Sequence, residues 1–197
     1  MITLDMSPDG ATIALAANVN TFKSSLNGFE QHSILPGSRW AASFTWSNRK
    51  GAEARKLRAQ LASLLGPVGV FKIRIPEPNY GTALGTGVVI AGDAGESEIT
   101  TSGWTPSQAS LLEVGDWIEV NQQAFQVTAQ AASDGAGLAT IQIAPPIRKT
   151  LSAGQSINAT DPSFYMRMTD PGGASAALSP AVGSPIYAAS IEAVEID

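Results

Sequence analysis

The stretch "RWAASFTWSNRKGAEARKLRAQLASLLGPVGVFKIRIP" (residues 39–76) decides the fold. Apolar residues alternate along its first part, so one face of a predicted strand carries three aromatic side chains. Apolar residues then recur at helical spacing until Gly66 and Pro67, which are typical of a helix end. Alternation returns after Pro67, and the order therefore predicts a strand, a helix over about 52–65 and a second strand. The residues predicted to share the buried faces are Trp40, Ala42, Phe44 and Trp46, then Ala54, Leu57, Leu61, Leu64 and Leu65, then Phe71, Ile73 and Ile75.

Both ends of the chain also carry strand patterns. Apolar residues alternate in "MITLDM", the turn sequence "SPDG" follows, and "ATIALAA" predicts a second strand. Residues 20–38 contain an "NG" and a "PG" pair and are predicted to be loop. Near the C-terminus, "SFYMRMTD" and "IYAASIEAVEID" predict strands on either side of a loop, "PGGASAALSPAVGSP". We expect these terminal strands to join the body formed around residues 39–76.

The composition changes from about Gly81 to glycine, threonine and alanine with short β runs. The runs "GTGVVIAG", "SEITTSGW", "DWIEV", "AFQVTAQ" and "LATIQIAPP" are spaced as in a small antiparallel barrel. Residues 85–160 hold two basic and seven acidic residues, a balance of −5, while the rest holds ten of each sign. We therefore predict a β-sandwich body from 1–80 and 162–197 and an inserted acidic, β-barrel-like module from 81–161.

Composition excludes several classes of function. The chain has 197 residues and no cysteine, which excludes a disulfide scaffold, a thiol nucleophile and Cys-ligated metal sites. The net charge of −5 shows that the chain as a whole lacks the excess of basic residues that is typical of nucleic-acid-binding proteins. The N-terminus lacks the pattern of a signal peptide, and no apolar run approaches the roughly 20 residues of a membrane helix. We expect a soluble protein that is made in the cytoplasm.

Catalytic chemistry finds no support in the residue pattern. His32 is the only histidine in the sequence, and no G-x-S-x-G motif offers a serine nucleophile. Asp116 and Glu119 lie three apart on a predicted strand and so point to opposite faces, whereas a working carboxylate pair must flank one site. A structural or surface role is the more common fate of a lone histidine. We expect that the protein is not an enzyme, with no catalytic residue and no cofactor.

Two polar clusters have a plain and a functional interpretation. Asp93, Glu96 and Glu98 could supply oxygen ligands for calcium, but their spacing is not that of an EF-hand, and an acidic turn is favoured. The glycines of "GTALGTG" precede a strand pattern and lack the Lys-Ser/Thr pair of a phosphate loop.

Five cations around the helix are either a solvated face or a contact with the acidic module of an adjacent copy. The candidate subunit-interface residues are Arg49, Lys50, Arg55, Lys56, Arg58, Trp117 and Glu119.

The order of segments resembles a known family of virion proteins. A helix lies between "RWAASFTWS" and "GVFKIRIPEP", a β module is entered by "GW-x-P" and "LLEVGDWIEV" and left by "ATIQIAPPIRKTLSAGQSI", and "FYMRM" follows. Over most of residues 39–168 this is similar to minor tail proteins of long-tailed bacteriophages, most nearly the distal tail proteins. Many members carry a larger C-terminal module, whereas here the second module is predicted to be inserted.

The resemblance implies a tail-tube-like β-sandwich and a structural role. Distal tail proteins form a ring, usually of six copies. For this chain a ring of three copies is the alternative. The ring joins the tail tube to the tail-tip hub, so the implied partners are further copies, the tail tube protein, the hub and the tape measure protein. DNA passes through the lumen without specific binding, and the implied location is the tail tip of the virion, without membrane insertion.

Two other functions stay open from the sequence. One is a carbohydrate- or receptor-binding module, in which Tyr80, Trp104 or Trp117 would stack on sugars if exposed. The other, least favoured, is a small hydrolase that depends on His32.

Overall fold

The computed structural model describes residues 1–83, 85–170, 175–179 and 186–196. Within these ranges the protein is mainly β, with fourteen strands and one α-helix, α1 (Gly51–Ser63), which confirms the predicted fold class. The strands are β1 (Ile2–Thr3), β2 (Gly10–Ala16), β3 (Val19–Lys23), β4 (Glu30–Ile34), β5 (Arg39–Lys50), β6 (Val70–Arg74), β7 (Gly85–Ala91), β8 (Glu98–Trp104), β9 (Trp117–Val120), β10 (Gln123–Val127), β11 (Ala139–Ala144), β12 (Ser163–Met168), β13 (Ser175–Ser179) and β14 (Ile186–Glu195).

The first sheet gathers strands from both ends of the chain. Its order is β1-β6-β12-β14-β5-β2, and β13 also pairs with β14. The β1–β6 pair is parallel and the other pairs are antiparallel. The long β14 lies between β5 and β12, so the C-terminal strand forms the centre of the sheet. The predicted N-terminal strand is shorter than expected, since β1 ends at Thr3.

The predicted strand, helix and strand around residues 39–76 are confirmed. All four residues predicted to share a face of β5 are buried, and Phe71, Ile73 and Ile75 are buried in the same core. Helix α1 covers this face with its stripe of Ala54, Leu57 and Leu61, and Leu64, directly after the helix, is also buried.

The end of α1 differs from the prediction at one residue. Leu65 adopts a left-handed conformation (φ 53°) directly before Gly66 and is 75% exposed, so it leaves the buried stripe. The chain then makes a short 3-10 turn through Gly66–Val68 and enters β6.

The second sheet, of order β7-β8-β11-β10-β9, curls around a separate core. Residues 154–158 connect its two outer strands, since Ser156 bridges to Val88 of β7 and Asn158 bridges to Glu119 of β9. The strands of this sheet all come from residues 85–144. The division of the chain at 80/81 and 161/162 into separate units stays a prediction.

The hairpin of β9 and β10 forms a wall that both cores share. Ile118 and Val120 point into the core of the second sheet, as does Phe125. Trp117 and Ala124 point the other way, into the core of the first sheet. The alternation of a strand places its two faces in two cores, so the sheets pack directly against each other.

Two regions predicted to be loop contain strands. Within 20–38, β3 and β4 form an antiparallel hairpin, and within 171–185, β13 pairs with β14. Short strands without a buried face give no clear alternation of apolar and polar residues, which explains the error for β3 and β4. The rest of the predicted loop, 171–174 and 180–185, lies outside the described residues.

Candidate interaction surface

The β3–β4 hairpin, here called the arm (residues 17–35), extends the ladder of β2 and β5. That ladder ends at the pair Ala16 and Arg39, and the arm begins at the pair Val19 and Ile34. The backbone bond from Leu35 N to Asn18 O (2.8 Å) connects the two ladders. Between 17 and 33 almost every residue is exposed, so the arm stands away from both cores.

Large apolar side chains on the arm face solvent. Phe22 is 67% exposed, Phe29 72% and Leu26, at the tip, 97%. Two polar side-chain contacts lie within the arm. Thr21 Oγ1 lies 3.0 Å from His32 Nδ1, and Lys23 pairs with Glu30 at 2.8 Å. These contacts fix the hairpin but do not cover its apolar residues.

A pocket of about 350 Å³, here called the base pocket, lies where the arm joins the body. One wall is Leu35–Ser38, at the foot of the arm, and the others come from the loop between β7 and β8 and from the segment that follows β11. Asn18 holds the foot in place, because its side-chain amide donates to Pro36 O (2.8 Å) and its backbone N–H to Ser38 Oγ (3.1 Å). The residues that line the pocket are Leu35, Pro36, Gly37, Ser38, Ala94, Gly95, Ser97, Pro146, Ile147 and Arg148.

Arg148, in the wall of the base pocket, joins the two sheets through a buried ion pair. Its Nη1 donates to Glu195 Oε2 at 2.7 Å, and the side chains are 5% and 0% exposed. Glu195 also accepts from Ala124 N (2.7 Å), while Trp40 Nε1 donates to Ala124 O (3.0 Å). This network fixes the wall of the pocket to the centre of the first sheet.

The predicted basic cluster divides into paired and unpaired cations. Arg49 pairs with Asp9 at 2.7 Å and Lys56 with Asp5 at 3.0 Å, both across to the N-terminal segment. The remaining three are exposed and form no salt bridge with any described residue, namely Lys50, Arg55 and Arg58. These three cations stay candidates for contact with another molecule.

The prediction for the other two interface residues, Trp117 and Glu119, is corrected by their burial. Trp117 is 2% exposed and packs between Trp40 (4.8 Å between ring centroids) and Phe164 (5.3 Å). Glu119 has an 11% exposed side chain and accepts from Ser163 N (3.1 Å). Both side chains are therefore covered by the first sheet, on the side of β9 that was predicted to face a neighbouring subunit.

The acids considered for chemistry have structural roles. Asp116 is buried and accepts three backbone N–H groups, from Tyr80 (2.7 Å), Gly81 (2.8 Å) and Glu113 (2.9 Å). It therefore fixes the strand-entry turn and lies on the opposite side of β9 from Glu119. His32 lies on the exposed arm, where its Nδ1 is 3.0 Å from Thr21 Oγ1.

The three acids of the turn before β8 do not form a metal site. Glu96 Oε2 accepts from Asp93 N (2.9 Å), and Glu98 accepts from the amide of Gln142 (2.9 Å). Among the described residues, no group of three or more acidic or histidine side chains is placed to hold a metal ion.

A second groove, of about 700 Å³, runs between the N-terminal segment Thr3–Pro8 and residues Lys72–Pro78. The pKa of Lys72 is raised, first by a hydrogen bond with Tyr165 and then by the charge of Glu119, although partial burial acts against this. A lysine with a raised pKa keeps its proton at neutral pH, so Lys72 is not poised as a nucleophile or base.

Comparison of the chain with known protein families and curated proteins assigns it to none of them. No family model matches the chain. No curated protein matches it either. In the part of the chain that the structure describes, no helix is long and apolar enough to cross a membrane.

The sequence alone missed the arm and the base pocket. A signal for the arm exists in "VNTFK", where Val19 and Phe22 occur in a β-type run before the "NG" turn pair. The pocket leaves no local signal, because its walls come from three segments far apart in the chain.

Proposed function

We propose that this protein is a structural subunit that assembles with further copies of itself. As the segment order suggests, the assembly is a ring of the distal-tail type at the tail tip of a long-tailed bacteriophage. The observation that carries the proposal is the exposed arm with Phe22, Leu26 and Phe29.

An arm of this kind needs a partner for physical reasons. A lone two-stranded hairpin is marginally stable in water, and it usually requires packing against another element. Contiguous exposed apolar side chains mark interaction surfaces in soluble proteins. The body of the same copy does not cover the arm. We therefore expect a second molecule to bury its apolar side chains.

The edge of the first sheet supports assembly through strands. β2, with the sequence "GATIALA", is the outer strand beside the arm and has no further strand partner among the described residues. Proteins normally protect such edges with charges, proline or bulges, and this strand has no charge or proline. The second sheet, in contrast, has its outer strands joined by residues 154–158. An open edge beside an exposed arm favours an assembly that continues the first sheet.

The test compares the purified wild-type chain with a variant of the arm. Light scattering after size exclusion is expected to show oligomers that grow with concentration, and negative-stain micrographs are expected to show rings. Phe22→Ser with Phe29→Ser should give monomers, because the variant removes the apolar contact but leaves both cores intact. The matched control, Val68→Ser with Val114→Ser, removes two exposed apolar side chains elsewhere (75% and 64% exposed) and should still assemble.

The proposal is overturned if the wild-type chain stays monomeric at high concentration. It is also overturned if the arm variant and its control assemble equally well. The placement at a tail tip is tested separately, by mass spectrometry of purified virions that encode the chain, where the protein should occur in ring-like copy number.

A carbohydrate-binding role is a second candidate, favoured by the exposure of Tyr80. Tyr80 is 79% exposed beside a groove of about 370 Å³, whose lining includes Arg74, Glu77 and Thr82. Trp104 and Trp117, the other aromatics considered for stacking, are buried. Binding on a glycan array that disappears with Tyr80→Ala would support this role, and an array without binding would remove it.

A further inference from the structure

We propose that a basic patch on helix α1 of one copy docks on the acidic turn before β8 of the next copy. This inference rests on the proposed function and adds a charged contact to the assembly. The basic patch is Lys50, Arg55 and Arg58, and the acidic turn is residues 93–98 with Asp93, Glu96 and Glu98. All six charged residues are exposed, and none forms a salt bridge with any described residue.

The charges of the basic patch are not balanced within one copy. Arg55 and Arg58 lie three residues apart on α1, so their side chains are neighbours on its surface and repel each other. Lys50 is the N-cap residue of α1, where a positive charge opposes the helix dipole. Glu53, the single acid in the sequence of α1, faces an excess of these three cations. An acidic partner therefore relieves a repulsion that the isolated copy retains.

The acidic turn carries the opposite charge. Its sequence, "DAGESE", has three acids within six residues and no cation. Two of the three carboxylates bond to neutral groups, a backbone N–H of the turn and the amide of Gln142 (2.9 Å each). Lys149 lies beside the turn, because the neighbouring Thr150 accepts Ala94 N at its Oγ1 (3.2 Å). This one exposed lysine does not balance three acids, so the turn keeps an excess of negative charge.

The two surfaces lie at opposite ends of β5, so they cannot meet within one copy. Ala94, Gly95 and Ser97 line the base pocket together with Leu35–Ser38, which places the acidic turn at the start of β5. Lys50 is the last residue of β5, and α1 follows directly. The twelve residues of the strand span roughly 35 Å, far more than the roughly 4 Å of an ion pair. The contact therefore joins two copies head to tail, an arrangement that closes into rings when the rotation per copy permits it.

The acidic turn lies at the same end of β5 as the arm. Leu35–Ser38 form the foot of the arm and share the base pocket with the turn. A neighbour that covers the arm is therefore beside the acidic turn as well. Complementary charges at an interface steer the partners and fix their register, whereas buried apolar side chains supply most of the affinity. The charged contact thus selects the end of the neighbour that meets the arm.

The experiment reverses the charge of each surface in turn. Arg55→Glu with Arg58→Glu makes the basic patch acidic, and Asp93→Lys with Glu98→Lys makes the acidic turn basic. Glu96 is kept because its carboxylate accepts Asp93 N inside the turn. All four changed residues are exposed, so both cores stay intact. By light scattering, we expect each reversal alone to weaken self-association about tenfold or more, because like charges then face each other.

Recovery of assembly is the result that identifies the contact. In an equal mixture of the two variants, every basic surface can meet an acidic surface of the other variant, so association should return. A chain that carries both reversals should also assemble, because its two surfaces are again complementary. A variant that had merely lost its fold would not be rescued by mixing.

The matched control reverses a single arginine elsewhere. Met166 and Met168 of β12 point into the first core, so Arg167 between them lies on the opposite face of the sheet and is exposed. Arg167→Glu should assemble like the wild-type chain, whereas Arg58→Glu, with the same change of charge, should assemble less well.

The outcomes separate this inference from the proposed function. If the wild-type chain does not assemble, the proposed function fails and the inference fails with it. If it assembles and the Phe22 and Phe29 variant does not, the function stands. In that case, charge-reversed variants that assemble as well as Arg167→Glu overturn the docking of the two surfaces. Variants that neither the mixture nor the combined reversal restores overturn it as well.

Discussion

At the scale of single residues, the buried pair of Arg148 and Glu195 has the largest expected effect on stability. Glu195→Ala leaves the guanidinium buried without its counter-charge and removes the acceptor of Ala124 N. Loss of one partner of a buried pair costs about 3–5 kcal/mol. Urea unfolding followed by tryptophan fluorescence should show this as a lower midpoint with an unchanged slope.

An exposed pair supplies the control for this prediction. Asp5→Ala removes the partner of Lys56, where both side chains are 55% exposed, and should cost less than about 1 kcal/mol. Equal losses for the two variants would contradict the role given to the buried pair.

Asp116 provides the second prediction at this scale. Asp116→Ala leaves three backbone N–H groups without their acceptor, and we expect a loss of about 2–4 kcal/mol in the free energy of unfolding. Asp116→Asn should lose less, since one carbonyl oxygen remains. Asp134→Ala is the comparison, because Asp134 also accepts two backbone N–H groups (2.8 Å each) but is exposed, so that water can replace it. If Asp134→Ala destabilises the protein as much as Asp116→Ala, burial is not what makes Asp116 important.

At the scale of elements, periodic patterns in the sequence predict the buried residues correctly where an element has one buried face. Trp40, Phe44 and Trp46 on β5 and the stripe on α1 lie in the core as the sequence predicts, because burial selects apolar residues at the period of the element.

Elements whose role depends on distant partners could not be predicted in this way. The alternation of β9 separates Trp117 from Ile118, but it does not say which face is solvent, and both faces turn out to be cores. The arm has no buried face, so its only sequence signal is the short β-type run "VNTFK" before the "NG" pair. The pocket at its foot requires the packing of three segments, which local sequence does not encode.

Removal of the arm tests the independence of this element. Because Leu35 N already donates to Asn18 O, residues 19–34 can be replaced by Asn-Gly, which favours the tight turn that this spacing needs. The free energy of unfolding should change by less than about 1 kcal/mol, since the arm buries almost no surface. Self-association should be lost. A shortened chain that no longer folds would show that the arm contributes to the body.

At the scale of the whole molecule, the shared wall of β9 and β10 makes the two sheets depend on each other. Opening the first sheet exposes Trp117 and Ala124, and opening the second removes the strand that holds them. The bond from Glu195 to Ala124 crosses the same boundary.

Cooperative unfolding of both sheets is the prediction that follows from this shared wall. Leu57→Ala in the first core and Ile141→Ala in the second remove fully buried side chains, each at a cost of about 2–5 kcal/mol. If the sheets open together, each variant lowers the hydrogen-exchange protection of β6 and β11 amides by the same factor, whichever core carries the change. Calorimetry should show one transition, with calorimetric and van't Hoff enthalpies equal. Two transitions, or a loss of protection confined to the sheet that carries the substitution, would mean that Trp117 and Glu195 join two bodies that unfold separately.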